Sequence, residues 1–224
     1  MVIFDSRFKP SLRCVFLFLV LLVIGVSSAE ARILNVPSEY ATIPAAITAG
    51  RSGDVIRVAG TVATPFTYTF AGNLSFGAKA MTLESASGNP ATVILTGNNT
   101  SNSTIYVTPT DSVGSTFRGI TIKGPRGSNG NGGAMNIQVS TKIENCIIRD
   151  SSADYGGGVH ISNGALPSFK NCQFINNKAY EQGGAVYTTG DSFPTFTNCL
   201  FVGNSVEDNF WVLTDRGDVM YLDS

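Results

Sequence analysis

From Phe117 to Phe201 apolar and polar residues alternate for only three or four positions before the phase slips. In "FKNCQFINN" (Phe169 to Asn177) Phe169 faces in and Lys170 out, then Cys172 and Phe174 face in with Gln173 out. Period two holds on each flank of Asn171 and fails across it, so two short strands meet there at a sharp bend. Asparagine suits the bend because it tolerates left-handed backbone angles and bonds locally to the backbone. Gly119 takes the same place earlier in the chain. A second corner is expected at Asn177, with Ser151 and Asn204 as counterparts. A glycine pair then leads into another short strand in "AMNIQ", "VHIS" and "AVYTT". Each unit contains no predicted helix and no hairpin return of the Asn-Gly type between paired strands.

The pattern repeats. "FRGITI", "IENCII", "FKNCQF" and "FTNCLF" begin at Phe117, Ile143, Phe169 and Phe196, in steps of 26, 26 and 27. The glycine pairs begin at Gly132, Gly157 and Gly183, in steps of 25 and 26. Two independent markers with one period indicate a solenoid. The simplest closed path for short strands joined by tight corners is an all-β, right-handed parallel β-helix whose coils stack about 4.8 Å apart. Stacking predicts vertical columns. Cys146, Cys172 and Cys199 form one, extended downward by Ile120. Ile143, Phe169 and Phe196 form a second, and Ile148, Phe174 and Phe201 a third. Asn145, Asn171 and Asn198 are expected to bond amide to amide within the stack, satisfying buried polar groups.

The first half is less regular. Ile43 to Ala49 reads as a short helix with Thr42 as N-cap, Pro44 in its first turn and Gly50 after it. Such a helix would cover the open end of the β-helix and stop edge pairing. "DVIRVA", "MTLES", "TVILTG" and "TIYVT" read as strands of early coils.

The N-terminus adds a processing signal. Arg7, Lys9 and Arg13 precede the apolar run of 13 residues from Cys14 to Val26, then "SSAEAR". This is the pattern of a cleaved secretory leader, residues 1–31, cut after Ala31. Thirteen residues are short for a membrane span, which needs about 20. The mature chain, residues 32–224, is expected to be one domain: cap and first strand at 32–60, regular coils at 117–204, and an atypical end at 205–224. That end is either an unusual cap or the mark of a truncated piece of a longer protein. The chain is accordingly a monomer or part of something longer.

Of 15 basic and 16 acidic side chains, three and two lie in the leader, leaving 12 and 14. Without a basic surplus, nucleic acid is not a partner. Charged residues make up 14% of the chain, against about 25% ordinarily. The odd count of three cysteines after the leader argues against a paired disulfide framework and for core thiols, with a disulfide between adjacent rungs as the alternative, and their spacing matches no zinc pattern.

At these residues the chain resembles known proteins. "YATIPAAITAGRSGDVIRVAGT" is similar to the N-terminal cap and first coil of pectin-lyase-like β-helix proteins. "FINN" and "FVGN" resemble the FxxN element of polymorphic outer membrane protein repeats, and "GGAV" their GGA[ILV] element. "GGAM" and "GGGV" are near variants, while "IRDS" departs from FxxN. The resemblance implies an exported protein that is secreted or held at the cell surface or outer membrane. It is either a structural or adhesive protein contacting extracellular polysaccharide or host and cell-surface glycans, or a polysaccharide lyase or hydrolase. No cofactor and no metal site is expected from the residues themselves, although a β-helix lyase would need carboxylates for calcium.

An enzyme of this kind would need clustered carboxylates, or carboxylates with an Arg or Lys base. The candidates are Asp150, Asp154, Glu181 and Asp191, with Lys178 and Arg149 as bases; their offsets do not repeat, which favours solvated corners and a non-catalytic role. His160, the only histidine, is expected on an outward, solvent-facing strand position. "GPRGSNGNGG" (Gly124 to Gly133) reads as a flexible loop, not a phosphate cradle. Asn73, Asn98, Asn99 and Asn102 lie in N-x-Ser/Thr sequons. Phe210 and Trp211 are expected over the last coil, and Arg216 to Asp218 spells RGD.

Overall fold

The computed structural model describes residues 30–98, 103–111, 114–125, 130–207 and 220–222. The leader, Asn99, Asn102, Phe210, Trp211 and the RGD tripeptide lie outside the described residues, as do positions 126–129 of the glycine-rich loop. The chain divides into Met1–Ala31 and a unit Arg32–Ser224 that holds the coils.

That unit is a right-handed parallel β-helix. The first sheet stacks seven strands: Ile33–Val36, Val55–Val58, Thr82–Ser85, Thr116–Arg118, Lys142–Glu144, Ser168–Lys170 and Thr195–Thr197. The second stacks six, from Phe66–Phe70 through Val93–Gly97, Thr121–Lys123, Ile147–Arg149 and Gln173–Ile175 to Leu200–Val202. The third stacks five: Ile105–Val107, Met135–Ile137, Val159–Ile161, Val186–Thr188 and Met220–Leu222. A short three-stranded sheet, Ser152–Tyr155, Lys178–Gln182 and Ser205–Val206, fills the corner between the second and third. Neighbouring strands pair in parallel, each with a strand of the adjacent coil.

Register puts like residues over like. Leu34, Ile56, Leu83, Phe117, Ile143, Phe169 and Phe196 form one inner row. Tyr68, Leu95, Ile122, Ile148, Phe174 and Phe201 form another. Phe169 and Phe196 stack with centroids 5.0 Å apart, and Phe174 and Phe201 at 4.6 Å, while Phe169 meets Phe174 edge-on. Offset stacking along each column and edge contact between columns let the rings fill the interior at native density. Phe196, Cys199 and Phe201 are only partly buried, because no described coil lies above them.

Ile120, Cys146, Cys172 and Cys199 occupy one position on successive coils, since Ile147 pairs with Thr121 and Gln173, and Gln173 with Leu200. The thiols are free, and each spans two carbonyls. Cys172 Sγ donates to Lys170 O of its own coil and to Ile143 O of the coil below, both at 3.4 Å. Cys146 and Cys199 repeat the arrangement. A small apolar side chain with a weak donor suits a position just inside a corner. Burial raises both inner thiols, Cys172 to about 12.

The corner before the thiol is left-handed at Gly119, Asn145, Asn171 and Asn198, with φ of 62°, 51°, 55° and 53°. These asparagines do not form the buried ladder expected of them. All three are exposed; Asn145 Nδ2 donates to Gly88 O, and Asn198 Nδ2 reaches Asn171 Oδ1 at 3.4 Å. A residue in the left-handed region turns its side chain out of the corner. The inner ladder stands at the second corner, whose left-handed residues are Asp150, Asn176 and Gly203, one position earlier than expected. Asn177 therefore points inward. Its Nδ2 donates to Ile148 O at 3.0 Å and to Asn204 Oδ1 at 2.9 Å, while its Oδ1 accepts from the Ser151 amide at 3.3 Å. Asn204 Nδ2 repeats this on Phe174 O at 2.8 Å, and Ser151 Oγ accepts from the Gly124 amide at 2.7 Å.

The third glycine corner also differs from the spacing read by eye. Val159 pairs with Met135 and Val186, so Gly156, not Gly157, matches Gly132 and Gly183. A register shift between Ala153 and Tyr155 absorbs the irregularity. Side chains are forbidden here: a Cβ on Gly133 would lie 2.4 Å from Gly157 O and 2.7 Å from Ser152 O.

The helix α1, Ile43–Ala49, has Thr42 Oγ1 accepting from the Ala45 amide at 3.2 Å. It buries Ile43, Ala46 and Ile47 against the first two strands of the first sheet, and Lys79 Nζ donates to Ile47 O and Thr48 O at its C-terminus. Among the described residues no helix is long and apolar enough to cross a membrane.

Candidate functional site

The outward rows of the sheets differ in chemistry. On the first sheet Arg57, Glu84, Arg118, Glu144 and Lys170 follow one another in register. Arg57 Nε donates to Glu84 at 2.9 Å, and Arg118 joins Glu84 at 3.5 Å and Glu144 at 2.9 Å. Alternating charges on adjacent strands neutralise one another and fix register.

The third sheet presents a row without charge: Tyr106, Asn136, His160 and Tyr187, with Tyr221 next in register. Each is the middle residue of a three-residue strand whose flanking side chains face the core. A left-handed glycine, Gly132, Gly156 or Gly183, precedes the strands of Asn136, His160 and Tyr187, and alternation sends the middle residue out. Tyr187 lies against the His160 ring, centroids 5.5 Å apart and planes 23° apart. Tyr155, from the short corner sheet, packs against Tyr187 at 5.2 Å. Gln138 Nε2 donates to the Tyr106 hydroxyl at 3.1 Å, and Asn136 Nδ2 to Asn131 O at 3.3 Å.

His160 does not face solvent as expected: it is 5% exposed. The outward direction was read correctly, but neighbouring rings cover the imidazole. Burial without an acidic partner lowers its pKa from 6.5 to about 4, so it is neutral at physiological pH. Two buried atoms of this row have no hydrogen-bond partner, His160 Nδ1 and Asn136 Oδ1. Buried polar atoms are satisfied in the great majority of cases, so an adjacent pair on one face calls for an explanation.

The sequence-derived carboxylates do not come together. Asp150 sits at the second corner between Lys123 Nζ and Arg149 Nη1, each at 3.4 Å. Asp154 accepts from the Gly130 amide at 2.8 Å. Lys178 pairs with Glu207 at 3.0 Å and lies over the Tyr180 ring. Glu181 is exposed on the strand Lys178–Gln182, and Asp191 is exposed in a left-handed turn. Of the six candidates, only Asp150 and Arg149 pair with each other among the described ion pairs, and no cluster of three metal-ligating side chains occurs among the described residues. The third-sheet row offers rings and amides at regular spacing. The sequence signal for that row, an outward residue four places after each of Gly132, Gly156 and Gly183, was present in "AMNI", "GVHI" and "AVYT". Sequence reasoning singled out only His160 from it.

A family model described as the right handed beta helix region matches residues 69–219. Two solved structures of the pectin methylesterase from Aspergillus niger, one deglycosylated and one penultimately deglycosylated, overlap with TM-scores of 0.39 and 0.38. Both are 13% identical, covering 88% of this chain and 91% of theirs. No curated protein sequence matches the chain.

Proposed function

The chain belongs to the family of the right handed beta helix region, and from that premise we propose that it is an exported, non-catalytic β-helix repeat protein that contacts glycans. In this reading the leader directs secretion, and the coil domain is released or held at the cell surface or outer membrane. It serves there as a structural or adhesive module akin to polymorphic outer membrane proteins. Extracellular polysaccharide or cell-surface glycan lies along the third sheet. The observation that carries the reading is the row Tyr106, Asn136, His160 and Tyr187, held in register on successive coils. Aromatic faces and amides are the groups that meet the apolar faces and hydroxyls of sugars. The dispersal of Asp150, Asp154, Glu181 and Asp191 supports the non-catalytic half.

The test is to incubate the purified protein with a panel of plant, bacterial and host polysaccharides. Retention on at least one immobilised polymer is expected, with no release of reducing ends or unsaturated products, with or without calcium. Sustained turnover of any polymer would replace this reading with the pectin-lyase-like alternative, a lyase or hydrolase.

A further inference from the structure

We infer that the third-sheet face is built for an uncharged polysaccharide rather than a polyuronate, an inference that rests on the glycan-contact reading above. Two features of the face carry it. The first is its charge. The described strands Ile105–Val107, Met135–Ile137, Val159–Ile161 and Val186–Thr188 contain no ionisable group except His160 and the two tyrosines. The described ion pairs lie elsewhere: on the first sheet, at the second corner, on the short corner sheet and at Arg32–Asp54 beside the cap. A polyuronate carries a carboxylate on every sugar. Laying such a chain on this face would strip water from each carboxylate with no cation on the described strands to replace it.

The second feature is the pair of orphaned atoms. Asn136 and His160 are register partners on adjacent coils. Asn136 Oδ1 is an acceptor without a donor, and Nδ1 of the neutral His160 has no partner in either tautomer. A sugar hydroxyl both donates and accepts, so it can satisfy each atom. A carboxylate only accepts, and it would add a negative oxygen beside Asn136 Oδ1. The two atoms therefore call for hydroxyls, and charge is what sets a neutral polymer apart from a polyuronate, which carries hydroxyls as well. Tyr106 and Tyr187 bracket the pair over three coil steps, about 14 Å at the usual strand spacing, long enough for a short oligosaccharide. Because Tyr187 lies against the imidazole, a hydroxyl arriving at Nδ1 displaces that ring.

Calorimetric titration of the full protein with soluble neutral polymers (galactan, xyloglucan, mannan) and with polygalacturonate tests this at pH 7 in 50 and 500 mM salt. At least one neutral polymer is expected to bind with an affinity that changes less than about twofold across the salt range, since no counterions are released. Asn136→Ala, and separately Tyr106→Ala, should weaken binding about tenfold, the loss of one buried hydrogen bond or one ring contact. Glu144→Gln on the first sheet should leave binding unchanged, and thermal melts of each variant separate lost binding from lost fold. Preferential, salt-sensitive binding of polygalacturonate would overturn this inference while leaving the glycan-contact reading in place. So would neutral binding that ignores both Asn136→Ala and Tyr106→Ala in folded proteins. Binding to no polymer would remove the glycan-contact reading and this inference with it.

Discussion

His160 gives the structure a pH signature that can be measured alone. It is the only histidine, it is buried, and burial lowers its pKa from 6.5 to about 4. The unfolded chain takes up a proton near pH 6.5 that the folded chain refuses until about pH 4. Stability contributed by neutral His160 is therefore complete above the unfolded value and is lost as pH falls towards the folded value. Between pH 7 and pH 4.5 the loss is about 2 kcal/mol. Asp54, held down to about 2 mainly by its hydrogen bond with Arg32, has the same sign. Its contribution is lost only below its ordinary value of 3.8, outside this window. Urea unfolding of the native protein should thus show a midpoint about 1 M lower at pH 4.5 than at pH 7, for a slope near 2 kcal/mol per molar. In His160→Phe, which keeps an aromatic ring against Tyr187 but cannot titrate, most of that shift should vanish. Equal shifts in the two proteins would show that His160 is not buried in the folded state, and the floor of the third-sheet face would have to be redrawn.

Three further outcomes test the stack itself. Asn177→Ala strips partners from Ile148 O, the Ser151 amide and Asn204 Oδ1, and should cost about 3 kcal/mol in urea unfolding; Asn171→Gly keeps its exposed left-handed corner and should change stability by less than about 0.5 kcal/mol. Equal costs would mean the two ladders had been exchanged. Thiol labelling of the native protein should reach Cys199 first and leave Cys146 and Cys172 unmodified until unfolding, since both are buried and their thiolates are disfavoured; equal native rates would contradict the column. Gly133→Ala, whose methyl meets backbone oxygens of two residues, should cost more than about 3 kcal/mol or prevent folding, whereas Gly72→Ala, with open space at its Cβ, should be close to neutral. Circular dichroism melts of the pair read the contrast directly.

Much of this architecture is written in the spacing of Phe117, Ile143, Phe169 and Phe196, because a strand register in a solenoid is the repeat length itself. The same holds for the thiol column and for Thr42 as the cap of α1. What spacing could not decide is which of two adjacent residues turns inward. Asn176 and Asn177 are chemically identical, and only the backbone angle at Asn176 sends Asn177 to the core. The same ambiguity placed the buried ladder at Asn145, Asn171 and Asn198. A left-handed corner satisfies local geometry with its backbone and leaves the side chain outside. Spacing alone aligns Gly157 rather than Gly156 with the other glycine corners, because a one-residue irregularity in the strand Ser152–Tyr155 leaves no trace in composition.

Burial of an outward residue is the harder matter, and it is where function enters. Alternation assigns a side of the sheet, not an environment; His160 points out and is still enclosed, because Tyr187 and the corner sheet close over it. The first sheet meets its outward charges within its own row, each acid between two bases or beside one. The second corner does the same for Asp150. Among the described residues, adjacent outward polar atoms are left buried and unmatched only on the third sheet. Each such atom costs about 1–3 kcal/mol, comparable to a fair fraction of a domain's net stability. An apolar residue at Asn136 or His160 would relieve that cost without disturbing register, since neither side chain faces the core. On the reading proposed above, the two atoms are kept for a partner outside the coil, and an unmatched amide oxygen beside an unmatched ring nitrogen is served by hydroxyls.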